Sequence, residues 1–176
     1  MATLTQEAYR KFKHMRNKHN VLIPILLVTV VLLVLVFMLD IVDVGLDRNF
    51  GSSAIIFTSF ASSTFIMFMM PYTKSASPKR FVKSYAIATV FGYLGLLLIS
   101  YFGIYLATVV VVFLTALFLF ETDSEHPPAM GLLFAFVLYH VGILSAFVIV
   151  SGVLIIAVLH IAMTKMGMVY PKRAWL

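Results

Sequence analysis

Four stretches of this chain, Val21 to Leu39, Phe50 to Pro71, Ser84 to Phe120 and Ala129 to Met163, contain no lysine, arginine, aspartate or glutamate. A soluble domain of 176 residues needs charge over its surface, so these runs fit a protein whose main solvent is lipid. Each is at least as long as the roughly 18 apolar residues that mark a membrane span. Composition agrees, with 62% hydrophobic and 11% charged residues and a mean hydropathy of +1.04. The expected fold class is all-α, a polytopic transmembrane helical bundle. One membrane domain over 21–165 lies between a basic segment, 1–20, and a short tail, 166–176. The polar stretches leave no room for a separate soluble catalytic module. The first run is too long for a cleaved signal peptide and no small-residue cleavage pattern follows it, so a retained helix is expected.

Charge sets the orientation. Arg10, Lys11, Lys13, Arg16 and Lys18 precede the first run, and Asp40, Asp43 and Asp47 follow it. Lys74, Lys79, Arg80 and Lys83 lie between the second and third runs, and Lys165, Lys172 and Arg173 close the chain. Basic flanks mark the cytoplasmic side, which places both termini there in a cell membrane. The net charge of +6 is accounted for by these flanks, and nucleic acid is not an expected partner.

The third and fourth runs would each exceed roughly 50 Å as straight helices at 1.5 Å per residue, against about 30 Å of hydrocarbon. Breaks near Phe102-Gly103 and between Ser145 and Gly152 give six membrane segments and put Glu121, Asp123 and Glu125 on the cytoplasmic side. A four-span arrangement with tilted helices puts that acidic turn outside. Six segments, some short or discontinuous, is the favoured expectation.

Function has to come from what interrupts the apolar runs. No cysteine is present, which removes disulfides, thiolate metal sites and cysteine nucleophiles. Phosphate-loop, nucleophile-elbow and H-E-x-x-H signatures are missing too, and the protein is not expected to be an enzyme or to carry a cofactor or metal. Two polar elements each precede an apolar run: Asn49-Phe50-Gly51-Ser52-Ser53-Ala54 and Ser124-Glu125-His126-Pro127-Pro128-Ala129. Serine suits an N-cap and proline the first helical turn, so both predict helix starts at the membrane boundary. Such ends either cap at an interface or attract an anion through free N–H groups and the helix dipole. The Pro-punctuated basic segment from Pro71 to Arg80 is a cytoplasmic loop or lines an anion path. Ser52, Ser53, Thr58, Ser59, Ser62, Ser63 and Thr64 crowd the second run, as helix-packing residues or as the lining of a hydrated route. His140 and His160, within the last run, are proton relays, ligands or imidazoles bonded to a neighbouring helix.

Phe50 to Ala54 (FGSSA), Ala76 to Arg80 (ASPKR) and His126 to Ala129 (HPPA), in that order within an apolar chain, resemble the HPP family of integral membrane proteins. The resemblance covers about Asn49 to Met163. Met130-Gly131 stands where Gly-Ala is usual after HPPA, and Ser-Pro-Lys-Arg where Gln-Pro-Arg-Asn is common. The family is usually described with four membrane helices and is linked in plastid and cyanobacterial relatives to nitrite transport. The resemblance implies a small-anion transporter in which Gly51, Ser52, Ser53, Pro78, Arg80, His126, Pro127 and Pro128 are the residues to watch. Facing helix starts near an arginine and a histidine would suit a small inorganic anion. The expected partners are the lipid bilayer, the anion and, through small-residue faces, further copies of the chain. The alternative is a non-transporting scaffold or sensor subunit whose polar motifs only cap helices.

Overall fold

The computed structural model describes residues 25–26, 28–34, 36–37, 41, 51–70 and 73–166. The basic segment 1–20, the acidic loop at Asp40, Asp43 and Asp47, and Lys172 and Arg173 lie outside the described residues, as do the side chains of Gly51, Ser52 and Ser53. The described residues are helical apart from short connections, and none forms a strand. Residues of the first apolar run are helical, with Val31 and Leu32 packed against the core. Then follow α1 (Gly51–Met69), a 3-10 turn (Lys74–Ala76), α2 (Pro78–Glu121), α3 (Pro128–Tyr139) and α4 (Ile143–Lys165).

α2 is not one rod. Gly103 adopts φ 73 and ψ 167, a conformation essentially reserved for glycine, and the chain reverses there. The two arms run antiparallel. Phe91 and Phe118 meet with ring centroids 5.0 Å apart, a Cβ built on Gly95 would lie 3.3 Å from Val111 Cγ2, and Lys83 Nζ donates to the Thr122 carbonyl at 2.8 Å. At 1.5 Å per residue the arms 78–102 and 104–121 measure roughly 37 and 27 Å, each near the thickness of a bilayer core.

The second break falls at His140 to Gly142, earlier than the expected Ser145 to Gly152. His140 ends α3 in the left-handed conformation (φ 52, ψ 51), and Gly142 is extended before α4 begins. Ser151 and Gly152 stay inside α4, because the Ser151 hydroxyl bonds the Phe147 carbonyl one turn back at 2.7 Å and so satisfies itself within the helix. Tyr93 on α2 ties this break to the bundle, its hydroxyl donating to the Gly142 carbonyl at 3.3 Å.

α3 is the centre of the packing. At 12 residues it is about 18 Å long, and Ala129, Leu132, Leu133, Ala135, Phe136 and Val137 are all buried, against α1 on one side and α2 on the other. Burial around most of its circumference explains its nearly unbroken apolar sequence. α2 and the 145–165 part of α4 are long and apolar enough to cross a membrane. A soluble core helix would be mostly buried, whereas only 22% and 39% of their most apolar windows are. The outside carries Val90, Leu97, Val109, Phe113, Phe147, Leu154 and Val158, while Ser59, Ser63, Thr115, His126 and His160 lie inside.

Candidate functional site

Two polar segments, Thr73 to Arg80 and Thr122 to Pro128, meet at one end of the bundle. α2 closes with paired backbone bonds, Ser124 N–H to the Leu119 carbonyl at 2.9 Å and Asp123 N–H to the Phe120 carbonyl at 3.0 Å, with Asp123 left-handed (φ 50). This is the Schellman geometry that ordinarily selects glycine; Asp is among the residues that tolerate it. It turns the Asp123 carboxylate toward the start of α2, where Arg80 pairs with Asp123 and, at 3.2 Å, with Glu125. Ser75 Oγ donates to the Glu125 carbonyl at 2.9 Å, which completes a clasp between the segments.

His126 is fully buried beneath that clasp. Its Nδ1 lies 2.7 Å from the Ser75 carbonyl oxygen, and because a carbonyl only accepts, Nδ1 carries the proton. Nε2 lies 2.8 Å from Ser63 Oγ. Ser63 Oγ is 2.8 Å from the Tyr85 hydroxyl, which is 2.6 Å from Ser59 Oγ, and Ser59 donates to the Pro128 carbonyl at 2.6 Å. Phe81 stands edge-on to the imidazole at 5.4 Å, and Phe60 stacks on Tyr85 at 5.4 Å. A chain of polar groups thus runs from the loop into the bundle between aromatic walls. Loss of water around the imidazole pushes its pKa from 6.5 down to about 4, against the opposing pull of the Ser75 carbonyl, so at neutral pH the ring is uncharged.

His160 on α4 reaches the same helix from another side. Its Nε2–H donates to the Met67 carbonyl at 3.1 Å, one turn along α1 from Ser63, and Phe68 packs edge-on to it at 5.3 Å. Its Nδ1 is buried with no hydrogen-bond partner among the described residues. His140 lies at the exposed end of α3.

The residues picked out from the sequence divide three ways. His126, Pro127, Pro128, Pro78 and Arg80 gather at one end of the bundle. Gly51, Ser52 and Ser53 do not join them. His126 meets α1 at Ser63, twelve residues beyond Gly51 and so roughly 18 Å along the helix. α3 packs antiparallel to α1, with His126 beside Ser63 and Pro128 beside Ser59, so the start of one lies against the latter part of the other. The expected pocket between facing helix starts is therefore not formed. Nor does α3 open with a free set of donors: Pro127 and Pro128 have no N–H, Ala129 N–H bonds the His126 carbonyl at 2.9 Å, and Met130 N–H bonds the Pro127 carbonyl at 3.0 Å. Arg80, expected beside an anion, is held by two carboxylates instead. Among the described residues no three histidine or carboxylate side chains converge as metal ligands would.

No protein-family model, curated protein or solved structure matches the chain.

The sequence does not mark Tyr85 as a site residue, and it leaves Ser59 and Ser63 as packing hydroxyls or as the lining of a hydrated route. Their four-residue spacing does place them on one helical face. Tyr85 lies one turn beyond Phe81 in a run of unremarkable apolar sequence, and nothing local announces it.

Proposed function

We propose that the protein is a membrane carrier for a small inorganic anion, nitrite-like on the resemblance of its three motifs to the HPP family, with six membrane segments and both termini cytoplasmic. The observation that carries this is α3. It starts in the polar clasp, is buried by protein at Ala129, Leu132, Leu133, Ala135, Phe136 and Val137, and stops at His140 after roughly 18 Å, short of a full bilayer core. Broken helices of this kind are tolerated at membrane depth only when wrapped by protein or lining a cavity, and carriers build their sites on them. The six-segment count is supported by the reversal at Gly103 and by the ion pairs joining both ends of α2. Both support an acidic turn on the same membrane side as the basic loop. Exposed Tyr101 and Tyr105 flank the turn at the opposite end, where interfacial aromatics belong.

The site narrows to His126, Pro127, Pro128, Ser63, Tyr85 and Ser59, with Arg80 as the clasp above it. A second reading, a scaffold without cargo, is favoured by the paired Arg80 and the occupied first-turn donors of α3. Purified protein in sealed vesicles separates the two. The carrier imports nitrite above empty vesicles and loses most of that flux in His126→Gln. Flux equal to empty vesicles, or unchanged in His126→Gln, removes the carrier reading and leaves the scaffold.

A further inference from the structure

We propose that His126, Ser63, Tyr85 and Ser59 form a buried proton-binding site, in which one proton taken up at the imidazole completes a hydrogen-bond chain closed at both ends by backbone carbonyls.

Five contacts make the chain: Ser75 carbonyl to Nδ1, Nε2 to Ser63, Ser63 to Tyr85, Tyr85 to Ser59, and Ser59 to the Pro128 carbonyl. Every hydrogen bond uses one proton, and the two end carbonyls supply none. A neutral imidazole gives one and the three hydroxyls give one each, so four protons face five contacts. With Nδ1–H on Ser75 and Ser59 donating to the Pro128 carbonyl, only the Ser63 and Tyr85 protons remain for the three contacts between Nε2 and Ser59, and one of those contacts has no hydrogen between its atoms. Any other arrangement moves the gap without closing it. An imidazolium supplies the fifth proton. Nε2–H then donates to Ser63, Ser63 to Tyr85, Tyr85 to Ser59 and Ser59 to Pro128, and every contact in the chain has its hydrogen.

The ligand is a proton because nothing else facing the ring competes for it. The groups around the imidazole are Ser63 from α1, the Ser75 carbonyl from the 3-10 turn, and Phe81 and Tyr85 from α2. The charged groups of the same segments are Lys74, Lys79, Arg80, Lys83, the acidic pair Asp123 and Glu125, and Glu121 at the end of α2. Arg80 is paired with both acids and Lys83 bonds the Thr122 carbonyl. His160, from α4, bonds the Met67 carbonyl instead. Protonation would give the start of α3 a positive charge that can be added and removed, which is the counter-charge an anion carrier lacks while Arg80 is clasped. The site can bind a proton whether or not an anion is carried, so its test does not involve transport.

The full chain, labelled with nitrogen-15 at histidine and held in lipid nanodiscs, is titrated by following the imidazole nitrogen resonances, with His126 assigned by their loss in His126→Gln. The neutral ring is expected with its proton on Nδ1. The decisive variant is Ser59→Ala, three hydrogen bonds from the imidazole and not touching it. Without Ser59, three contacts remain and a neutral ring with two hydroxyls supplies three protons, so the deficit disappears. The variant should bind the proton about fivefold more weakly, a midpoint lower by about 0.7 of a pH unit, the worth of one net hydrogen bond. If Ser59→Ala does not fold, Tyr85→Phe removes the same deficit and should shift the midpoint in the same direction. An unchanged midpoint in the folded variant, or a proton on Nε2 in the neutral ring, overturns the proposal.

Discussion

Gly92→Ala should loosen the bundle where α2 meets α3. A Cβ built on Gly92 would lie 2.6 Å from Cγ, 2.7 Å from Cδ2 and 2.8 Å from Cβ of Phe136. Carbon atoms pack best about 3.5–4.0 Å apart, so the helices must separate by roughly 1 Å. Phe136 cannot give way, since it is fully buried and its ring lies 4.8 Å from that of Tyr93. Overpacking of this kind costs about 1–3 kcal/mol, offset by up to about 1 kcal/mol from the better helix propensity of alanine. A net loss of about 1–2 kcal/mol is expected. Gly131→Ala is the control. Its Cβ would sit 3.7 Å from Ser59 Cβ, an ordinary contact, so only the propensity gain remains. Unfolding of the purified proteins in mixed micelles, followed by loss of helical circular dichroism, should rank Gly131→Ala at or above wild type and Gly92→Ala below it. Gly92→Ala as stable as Gly131→Ala would refute the close approach of α2 and α3.

Acidification is expected to destabilise the fold through His126. Burial lowers its pKa from 6.5 to about 4, so in that window the unfolded chain takes the proton more readily than the folded one. Stability is therefore full above about pH 6.5, falls as pH drops, and levels off below about 4. The shift bounds the loss at about 3 kcal/mol, and the hydrogen bond completed on protonation reduces it. Denaturant unfolding at several pH values should show a shallower decline in His126→Gln; equal slopes would argue against a buried neutral imidazole. Arg80→Gln should lower stability by about 1 kcal/mol, since its carboxylate partners are largely exposed, while nitrite flux at saturating concentration persists. Loss of flux with unchanged stability would return Arg80 to the anion site.

Much of the architecture is legible in the sequence because the relevant signals are local. Charge-free runs longer than a bilayer require breaks, and Gly103 is a residue able to take the conformation that the reversal needs. The family resemblance groups Arg80 and His126 with Gly51, Ser52 and Ser53; of these, Arg80 and His126 lie at one end of the bundle. The hydroxyl chain was hidden for the opposite reason. Ser63 lies 63 residues from His126 and Ser59 lies 26 from Tyr85, and no periodicity within one helix says which partner a serine will face. Gly51 and His126 look like a symmetric pair on paper, yet antiparallel packing of α1 and α3 brings Ser63, not Gly51, to the imidazole. The break after α3 was misplaced because Ser151 and Gly152 look like helix breakers but are satisfied inside α4, whereas His140 takes a left-handed conformation that sequence rarely reveals.

The absence of cysteine makes introduced cysteines unique, and their labelling from either side of a sealed membrane tests the arrangement most directly. Lys79→Cys and Thr122→Cys sit at the two ends of α2 that the ion pairs hold together, and Tyr105→Cys lies beside the Gly103 reversal. An impermeant maleimide should reach positions 79 and 122 from the same side and position 105 from the opposite one. Labelling of 79 and 122 from opposite sides would mean that α2 crosses once, and the polar cluster around His126 could not exist.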